Sequence, residues 1–341
     1  MTKILIVTDA WHPQINGVVR SLDRTASELR QMGVEVDILT PLEFRTIPCP
    51  SYPEIRLSLT WPSRVRRRIE DSGARYIHIA TEGPLGMLAR KVALAAGRSY
   101  TTSYHTRFPE YVSARVPVPE SWSYAMLRRF HNGGSGCMVA TLSLEQDLAA
   151  RGFTNLMRWS RGVDQTIFKP VDVMVYDLPR PIFVNVGRVA VEKNIKAFLD
   201  LDLPGSKVVV GGGPQLDSLR RAYPDVHFAG PRVGEDLVAH YAAADVFVFP
   251  SLTDTFGNVM LEALACGVPV AAYPVMGPLD VIGGSGAGVL DKDLGKAALA
   301  ALEIDRAHCR EVALRYTWRN SAQQFLDNVL AANGDLVRAA E

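Results

Sequence analysis

The chain has 341 residues, 48% apolar and 21% charged, with 37 Lys+Arg against 36 Asp+Glu. That length accommodates two domains of roughly 150 residues each, and the balance excludes a disordered or fibrous chain. Cys49, Cys137, Cys266 and Cys309 show neither CxxC spacing nor clustered histidines, and no apolar run approaches the length of about 18 residues that spans a bilayer, so a disulfide framework, a zinc site, export and a membrane span are all unexpected.

In chain order, KILIVT at 3–8 is a short β-branched strand, followed by a loop to Asn16 and Gly17. Leu22, Ala26, Leu29 and Met32 then recur at helical spacing, with Gly33 as the stop, and VEVDILT is the second strand. Strand, helix and strand of this kind form a βαβ unit, and continuously apolar strands belong to a parallel sheet covered on both faces. WPSRVRRRIEDSG reads as a short helix with Ser63 as N-cap, Val65 and Ile69 on one face and Arg64, Arg67 and Arg68 on a neighbouring one, preceded by Trp61. IHIA at 77–80 and SYTTSY at 99–104 continue the strands.

The plan restarts at residue 181. PIFVNVG is a strand ending at Gly187, VEKNIKAFLDL is helical, KVVVGGG is a strand with its own glycine turn, and VHFAG and ADVFVFP are two more strands. The second half therefore reads as another doubly wound α/β domain, joined through a connection at about 161–181.

Ligands of such sheets sit beyond the carboxyl ends of the strands, which directs attention to the residues after each strand. Asn16 and Gly17 follow the first strand, where a glycine lets backbone N–H groups approach an anion; a plain turn glycine gives the same sequence. His105 follows SYTTSY, at a position that suits a functional or a structural histidine. Arg188 and Lys193 follow the strand at 181–187. An arginine fork and a lysine point charge leading into a helix make a diphosphate clamp, against the alternative of solvated surface charge.

SLTDTFGNVMLEALACGVPV places Asp254 with Thr255 and Phe256 in a strand-end loop, Gly257 and Asn258 at the opening of a helix, and Glu262 within that helix. Both carboxylates can border one crevice, and carboxylates suit sugar hydroxyls because each oxygen accepts from O–H donors. A salt-bridged helix residue is the other reading of Glu262, and spacing alone does not choose.

This stretch resembles the E-x7-E signature of the retaining, nucleotide-sugar-dependent glycosyltransferases of family four. GRVAVEKN resembles that family's phosphate-binding motif, DAWHPQINGVVRSL its N-terminal glycine loop, SYHTRFPEY its histidine loop and RWSRGVDQTIFKP its interdomain segment, over about residues 3–320. The resemblance implies the GT-B architecture, an α/β fold of two facing Rossmann-like, doubly wound parallel-sheet domains: 1–164 for the acceptor, 165–315 for the donor, and a helical segment 316–341 able to cross back to the first. It implies hexose transfer with retained anomeric configuration and no cofactor or metal. Carried over, Glu262 binds the donor ribose, Arg188 and Lys193 the diphosphate, Gly17 the phosphate or sugar through its backbone, and His105 the donor sugar. Asn16, Gly187, Thr255, Phe256, Gly257 and Asn258 complete the donor site. His105, Arg188, Lys193 and Asp254 form the catalytic set. Asp254 stands where the family usually has Glu, one methylene longer, which leaves the donor sugar open; subgroups acting on lipid acceptors often show TDTFG here. DLD at 200–202 closes a helix rather than following a strand and is no metal motif.

The first 164 residues carry 21 Lys+Arg against 15 Asp+Glu, a net +6, and the remainder 16 against 21, a net −5. Trp61 with Arg64, Arg67 and Arg68 suits an anionic membrane surface, although a solvated helix face has the same pattern. TEGPLG, which contains Glu82, together with SYHTRFPEY looks closest to bacterial enzymes that glycosylate diacylglycerol, or to mannosyltransferases using GDP-mannose. The expected partners are thus a nucleotide-sugar donor, a lipid acceptor approached through Trp61, the three arginines and Glu82, and the cytoplasmic face of a membrane, with no nucleic acid. A dehydrogenase is disfavoured because neither half has GxGxxG after its first strand. A non-catalytic nucleotide-sugar-binding protein shares the same motifs.

Overall fold

A computed structural model describes residues 2–14, 16–49, 52–113 and 119–335, so residues 336–341 of the expected C-terminal segment lie outside the described residues. The chain forms two compact units. One runs to Ser160 and resumes at Trp318; the other spans Arg161–Thr317.

The first unit contains β1 (Lys3–Val7), β2 (Glu35–Leu39), β3 (Arg45–Cys49), β4 (Tyr52–Leu59), β5 (Tyr76–Ile79), β6 (Thr101–Tyr104), β7 (Gly136–Val139) and β8 (Leu156–Arg158). Six of these form a sheet of order β2-β1-β5-β6-β7-β8, in which every pair is parallel. β1 shows why its strand is apolar throughout. Leu5 and Val7 pack with Val65, Ile69, Leu85 and Ala89 on one face, and Ile4 and Ile6 with Leu22, Leu29, Phe325 and Val329 on the other. Helix Gly17–Gln31 and the last helix, Trp318–Ala332, share that second face, so the chain's C-terminal helix belongs to the core of the unit that holds its first strand. β3 and β4 form an antiparallel hairpin, which the periodicity of the sequence had not suggested.

The second unit repeats the plan with β9 (Ile182–Val186), β10 (Ser206–Val210), β11 (His227–Gly230), β12 (Val246–Phe249), β13 (Val270–Ala272) and β14 (Gly288–Leu290), in the parallel order β11-β10-β9-β12-β13-β14. Phe183, Val209, Val246, Val248 and Ala271 pack there against Leu294, Ala297, Ala298 and Ala301. The helix expected from Val191 onward is divided. Val191–Lys193 is a single 3₁₀ turn, Asn194 adopts a left-handed conformation at φ 51°, and the α-helix occupies only Ile195–Leu199.

Each sheet has one switch point, between β1 and β5 in the first unit and between β9 and β12 in the second. The chain leaves those neighbouring strands toward opposite sides, which opens a crevice at their carboxyl ends.

Candidate active site

In the second unit the switch-point crevice is bordered by the loops after β9 and β12. Gly187 ends β9 with its N–H donating to the Val210 carbonyl. Arg188 follows, half-buried, and the buried Val189 and Ala190 anchor the loop beneath it. The exit of β10 closes against this loop: a Cβ on Gly211 would lie 1.8 Å from the Gly187 carbonyl oxygen, so only glycine permits the approach. The left-handed turn at Asn194 aims its side-chain amide at β12, where Nδ2 donates to the Pro250 carbonyl at 3.1 Å. The two loops are thereby tied together.

Across that tie, Lys193 Nζ lies 2.5 Å from Asp254 Oδ1. Asp254 is 17% exposed at its side chain, and its Oδ2 is buried with no hydrogen-bond partner among the described residues. A buried carboxylate oxygen left without a donor is an unsatisfied acceptor that calls for an O–H or N–H partner. The sequence assigned the lysine to phosphate and the aspartate to sugar; the structure makes them one ion pair.

Gly257, at φ 86°, turns the chain into the helix Asn258–Ala265, with Thr255 half-buried and Phe256 buried just before it. Glu262 is only 6% exposed, and its Oε2 accepts from the buried Tyr241 hydroxyl at 2.9 Å. Tyr241 lies on helix Gly234–Ala242, and nothing in the sequence near Glu262 points to it. Burial, followed by the charge of Glu262, pushes the Cys266 thiol up to about 12, so this cysteine stays protonated.

In the first unit Asn16 caps the helix Gly17–Gln31, its side-chain oxygen accepting from Val18 and Val19 N–H at 3.0 Å each. That oxygen is therefore occupied by the helix, while exposed Gly17 begins the helix itself. TEGPLG has a structural task that the sequence did not disclose: it cradles Asp9. The buried Asp9 carboxylate accepts from Leu85 N–H at 2.8 Å, Gly86 N–H at 3.1 Å and Thr81 Oγ1 at 3.0 Å, and burial raises its carboxyl above the ordinary value against those hydrogen bonds. His105, at the exit of β6, is half-buried, with its ring edge-on to Trp159 at 5.7 Å between centroids. Glu82 Oε1 meets His131 Nε2 at 3.1 Å.

The basic helix differs from its reading in sequence at three points. It spans Pro62–Asp71 with Trp61, not Ser63, in the N-cap position and no side-chain cap, because proline at the first position starts the helix two residues earlier. Val65 and Ile69 face the protein core, so the helix offers no apolar face to a bilayer; Trp61, 74% exposed, does. Arg68 is not part of a free basic face. It makes a bidentate pair with Asp37 at 2.7 and 2.8 Å and reaches Glu43 at 2.6 Å, partners 31 and 25 positions away in the chain. Arg64 and Arg67 are exposed as expected, and exposed Arg66 joins them. Among the described residues no helix is long and apolar enough to cross a membrane.

Comparison with known proteins places this geometry. Residues 15–166 match the family model described as Glycosyltransferase Family 4, and residues 180–304 match Glycosyl transferases group 1. The chain is 31% identical over 287 residues to the sulfoquinovosyl transferase of Arabidopsis thaliana, over 74% of this chain and only 56% of that protein's length. It is 30% identical to a GDP-mannose-dependent alpha-mannosyltransferase of Mycolicibacterium smegmatis, covering 88% of this chain and 87% of that protein. It is 25% identical to the alpha-monoglucosyldiacylglycerol synthase of Streptococcus pneumoniae, over 80% and 71% of the two chains. Among solved structures, sucrose-phosphate synthase from Thermosynechococcus elongatus superposes with a TM-score of 0.76 at 19% identity, covering 98% of this chain and 100% of that one, a likeness of fold. The fold is GT-B.

Proposed function

The chain belongs to glycosyltransferase family 4 and is a glycosyltransferase, and we propose that it moves a hexose or hexuronic acid from a nucleoside diphosphate sugar to a hydroxyl of a membrane lipid such as diacylglycerol, with retained configuration and without a metal. The observation that carries the donor assignment is the Lys193–Asp254 pair at the β9/β12 switch point, with Asp254 Oδ2 buried and lacking a donor. Departure of a nucleoside diphosphate builds negative charge on the β-phosphate while the anomeric carbon becomes positive. In this reading Arg188 and Lys193 stabilise the departing phosphate. Asp254 receives a hydroxyl of the transferred sugar at Oδ2, and Glu262, held by Tyr241, receives the ribose. The acceptor hydroxyl attacks on the side the diphosphate leaves, and the leaving phosphate oxygen takes its proton.

The lipid acceptor rests on the diacylglycerol named for the Streptococcus relative, and Trp61 exposed beside Arg64, Arg66 and Arg67 supports a peripheral position on the cytoplasmic face of an anionic membrane. A second reading, a GDP-mannose-dependent alpha-mannosyltransferase acting on a lipid or saccharide, is favoured by the Mycolicibacterium relative and its coverage of both chains. Incubating the protein with a panel of UDP- and GDP-sugars, against diacylglycerol vesicles, a lipid extract and soluble saccharides, separates the two. Transfer from a UDP-sugar to lipid supports the first reading, and transfer from GDP-mannose alone replaces it with the second.

A further inference from the structure

Among the buried polar groups outside the donor site is His131, the last residue of helix Glu120–His131. Its ring is fully buried beside Phe130, Tyr104 and Phe153, with the Cys137 thiol also against it. Nδ1 lies 2.9 Å from Thr102 Oγ1, and Nε2 lies 3.1 Å from Glu82 Oε1. The Thr102 hydroxyl also lies 3.4 Å from the Gly136 carbonyl, a longer contact than the one it makes with Nδ1. In a neutral ring with Nδ1 protonated, Nε2 is an acceptor, and so is a carboxylate oxygen. Two acceptors do not sit 3.1 Å apart, and one proton must lie between them. Nε2 therefore carries a proton that it donates to Glu82 Oε1, while Nδ1 meets the Thr102 hydroxyl. Burial works against a charge on this ring, and its contacts with Cys137 and Glu82 raise its pKa above the ordinary imidazole value.

His78 shows the contrast. It is equally buried, but both its nitrogens meet hydroxyls, Thr101 Oγ1 at 2.9 Å and Ser103 Oγ at 2.8 Å, which satisfy a neutral ring.

Glu82 is not buried like its partner. Its side chain is 23% exposed, and among the described residues Oε2 has no hydrogen-bond partner. It directly follows Thr81, whose hydroxyl is bonded to Asp9 across the β1/β5 switch point, and β5 lies next to β6, whose exit carries His105. One oxygen is thus fixed by the buried His131 ring, and the other is unpartnered among the described residues at the carboxyl end of the sheet. A fixed negative charge repels a diphosphate, so what it selects is a neutral hydroxyl. From this juxtaposition we infer that Glu82 Oε2 binds a hydroxyl of the acceptor, and that His131 is a positioning residue that holds this carboxylate ionised and in one rotamer. The inference rests on the glycosyltransferase reading and adds a residue pair that fixes the acceptor.

The test uses the full chain, the donor and acceptor that support transfer in the panel described above, and the variants Glu82→Gln, His131→Gln and the double. Glu82→Gln keeps the size of the side chain and removes its charge; the acceptor KM rises roughly 10- to 100-fold, the range for loss of a hydrogen bond to a charged group, while the affinity for UDP or GDP and the donor KM stay at wild-type values. His131→Gln raises the acceptor KM in the same direction, and the double variant is no worse than Glu82→Gln alone because the two act as one unit. An unchanged acceptor KM in Glu82→Gln overturns the inference while leaving the functional reading intact. If His131→Gln lowers the melting temperature and every kinetic constant together, or the double is additive, the histidine is structural only and its positioning role is overturned. Should wild type transfer no sugar from any donor, the functional reading fails, and this inference with it.

Discussion

Lys193 and Asp254 lie 61 positions apart in the chain and meet at 2.5 Å across the carboxyl ends of β9 and β12. The pair holds the lysine's charge in place before any ligand arrives, and it leaves Asp254 Oδ2 buried without a hydrogen-bond partner, the oxygen that the proposed reading gives to a sugar hydroxyl.

Lys193→Ala or Arg188→Ala therefore lowers turnover about 10²- to 10³-fold, the size seen when one preorganised donor to developing charge is removed. Asp254→Asn behaves differently. It releases Lys193 from its counter-charge, so affinity for the bare nucleoside diphosphate holds or improves while transfer falls. Steady-state kinetics with calorimetric titration of UDP and GDP checks both; equal loss of nucleotide affinity in Asp254→Asn contradicts the division of roles.

Tyr241 is buried and gives its hydroxyl proton to Glu262. Tyr241→Phe keeps the ring and loses that bond, which weakens nucleoside diphosphate binding roughly fivefold to tenfold, with Glu262→Ala weakening it further. Both effects appear with the free nucleotide as well as with the sugar donor, because the ribose is common to both. Titration at one salt concentration measures them, and wild-type affinity in Glu262→Ala removes the ribose assignment.

Changing Arg64, Arg66 and Arg67 together to Ser reduces binding to phosphatidylglycerol vesicles at low salt, and added salt reduces wild-type binding in the same way. Arg68→Ser leaves vesicle binding near wild type and lowers thermal stability instead, because Arg68 is committed to Asp37 and Glu43. Vesicle sedimentation with and without salt distinguishes these outcomes; undiminished sedimentation of the triple variant at low salt rules out this docking surface.

The hydrogen bonds from Arg68 hold the Asp37 carboxyl below its ordinary value, in spite of partial burial. A depressed folded-state value contributes stability that is fully present above the ordinary aspartate value of about 3.9 and is lost as pH falls through the lower folded value. Asp37→Asn removes that dependence: the variant is less stable than wild type near neutrality, and the gap narrows on acidification below about pH 4. Melting temperatures across that range decide it, and a constant gap between the two proteins refutes the linkage.

Asp9→Ala strips the acceptor from Leu85 N–H, Gly86 N–H and the Thr81 hydroxyl at once. The expected loss is about 2–4 kcal/mol in the unfolding of the first unit, the sum of a lost helix cap and buried donors left unmade. Denaturant unfolding followed by tryptophan fluorescence reads it, since all five tryptophans belong to the first unit; a change under about 0.5 kcal/mol, the range of neutral surface substitutions, refutes the cradle.

Local pattern determined much of this protein. The apolar runs of KILIVT, PIFVNVG and ADVFVFP set the strands, because side-chain burial acts within a few residues. The same local pattern places Asp254 in a loop and Glu262 inside a helix, as the structure has them. What it could not reach were the partners. Asn194 breaks an apparently continuous helical pattern because its amide is bonded to β12; Arg68 leaves the basic face because β2 and the segment after it bring Asp37 and Glu43 to it; Tyr241 and His131 arrive from helices 21 and 49 positions away from the carboxylates they hold. Each of these is a polar contact between segments that only strand order makes neighbours. The energy of such a contact depends on distance and burial, which a one-dimensional pattern does not contain.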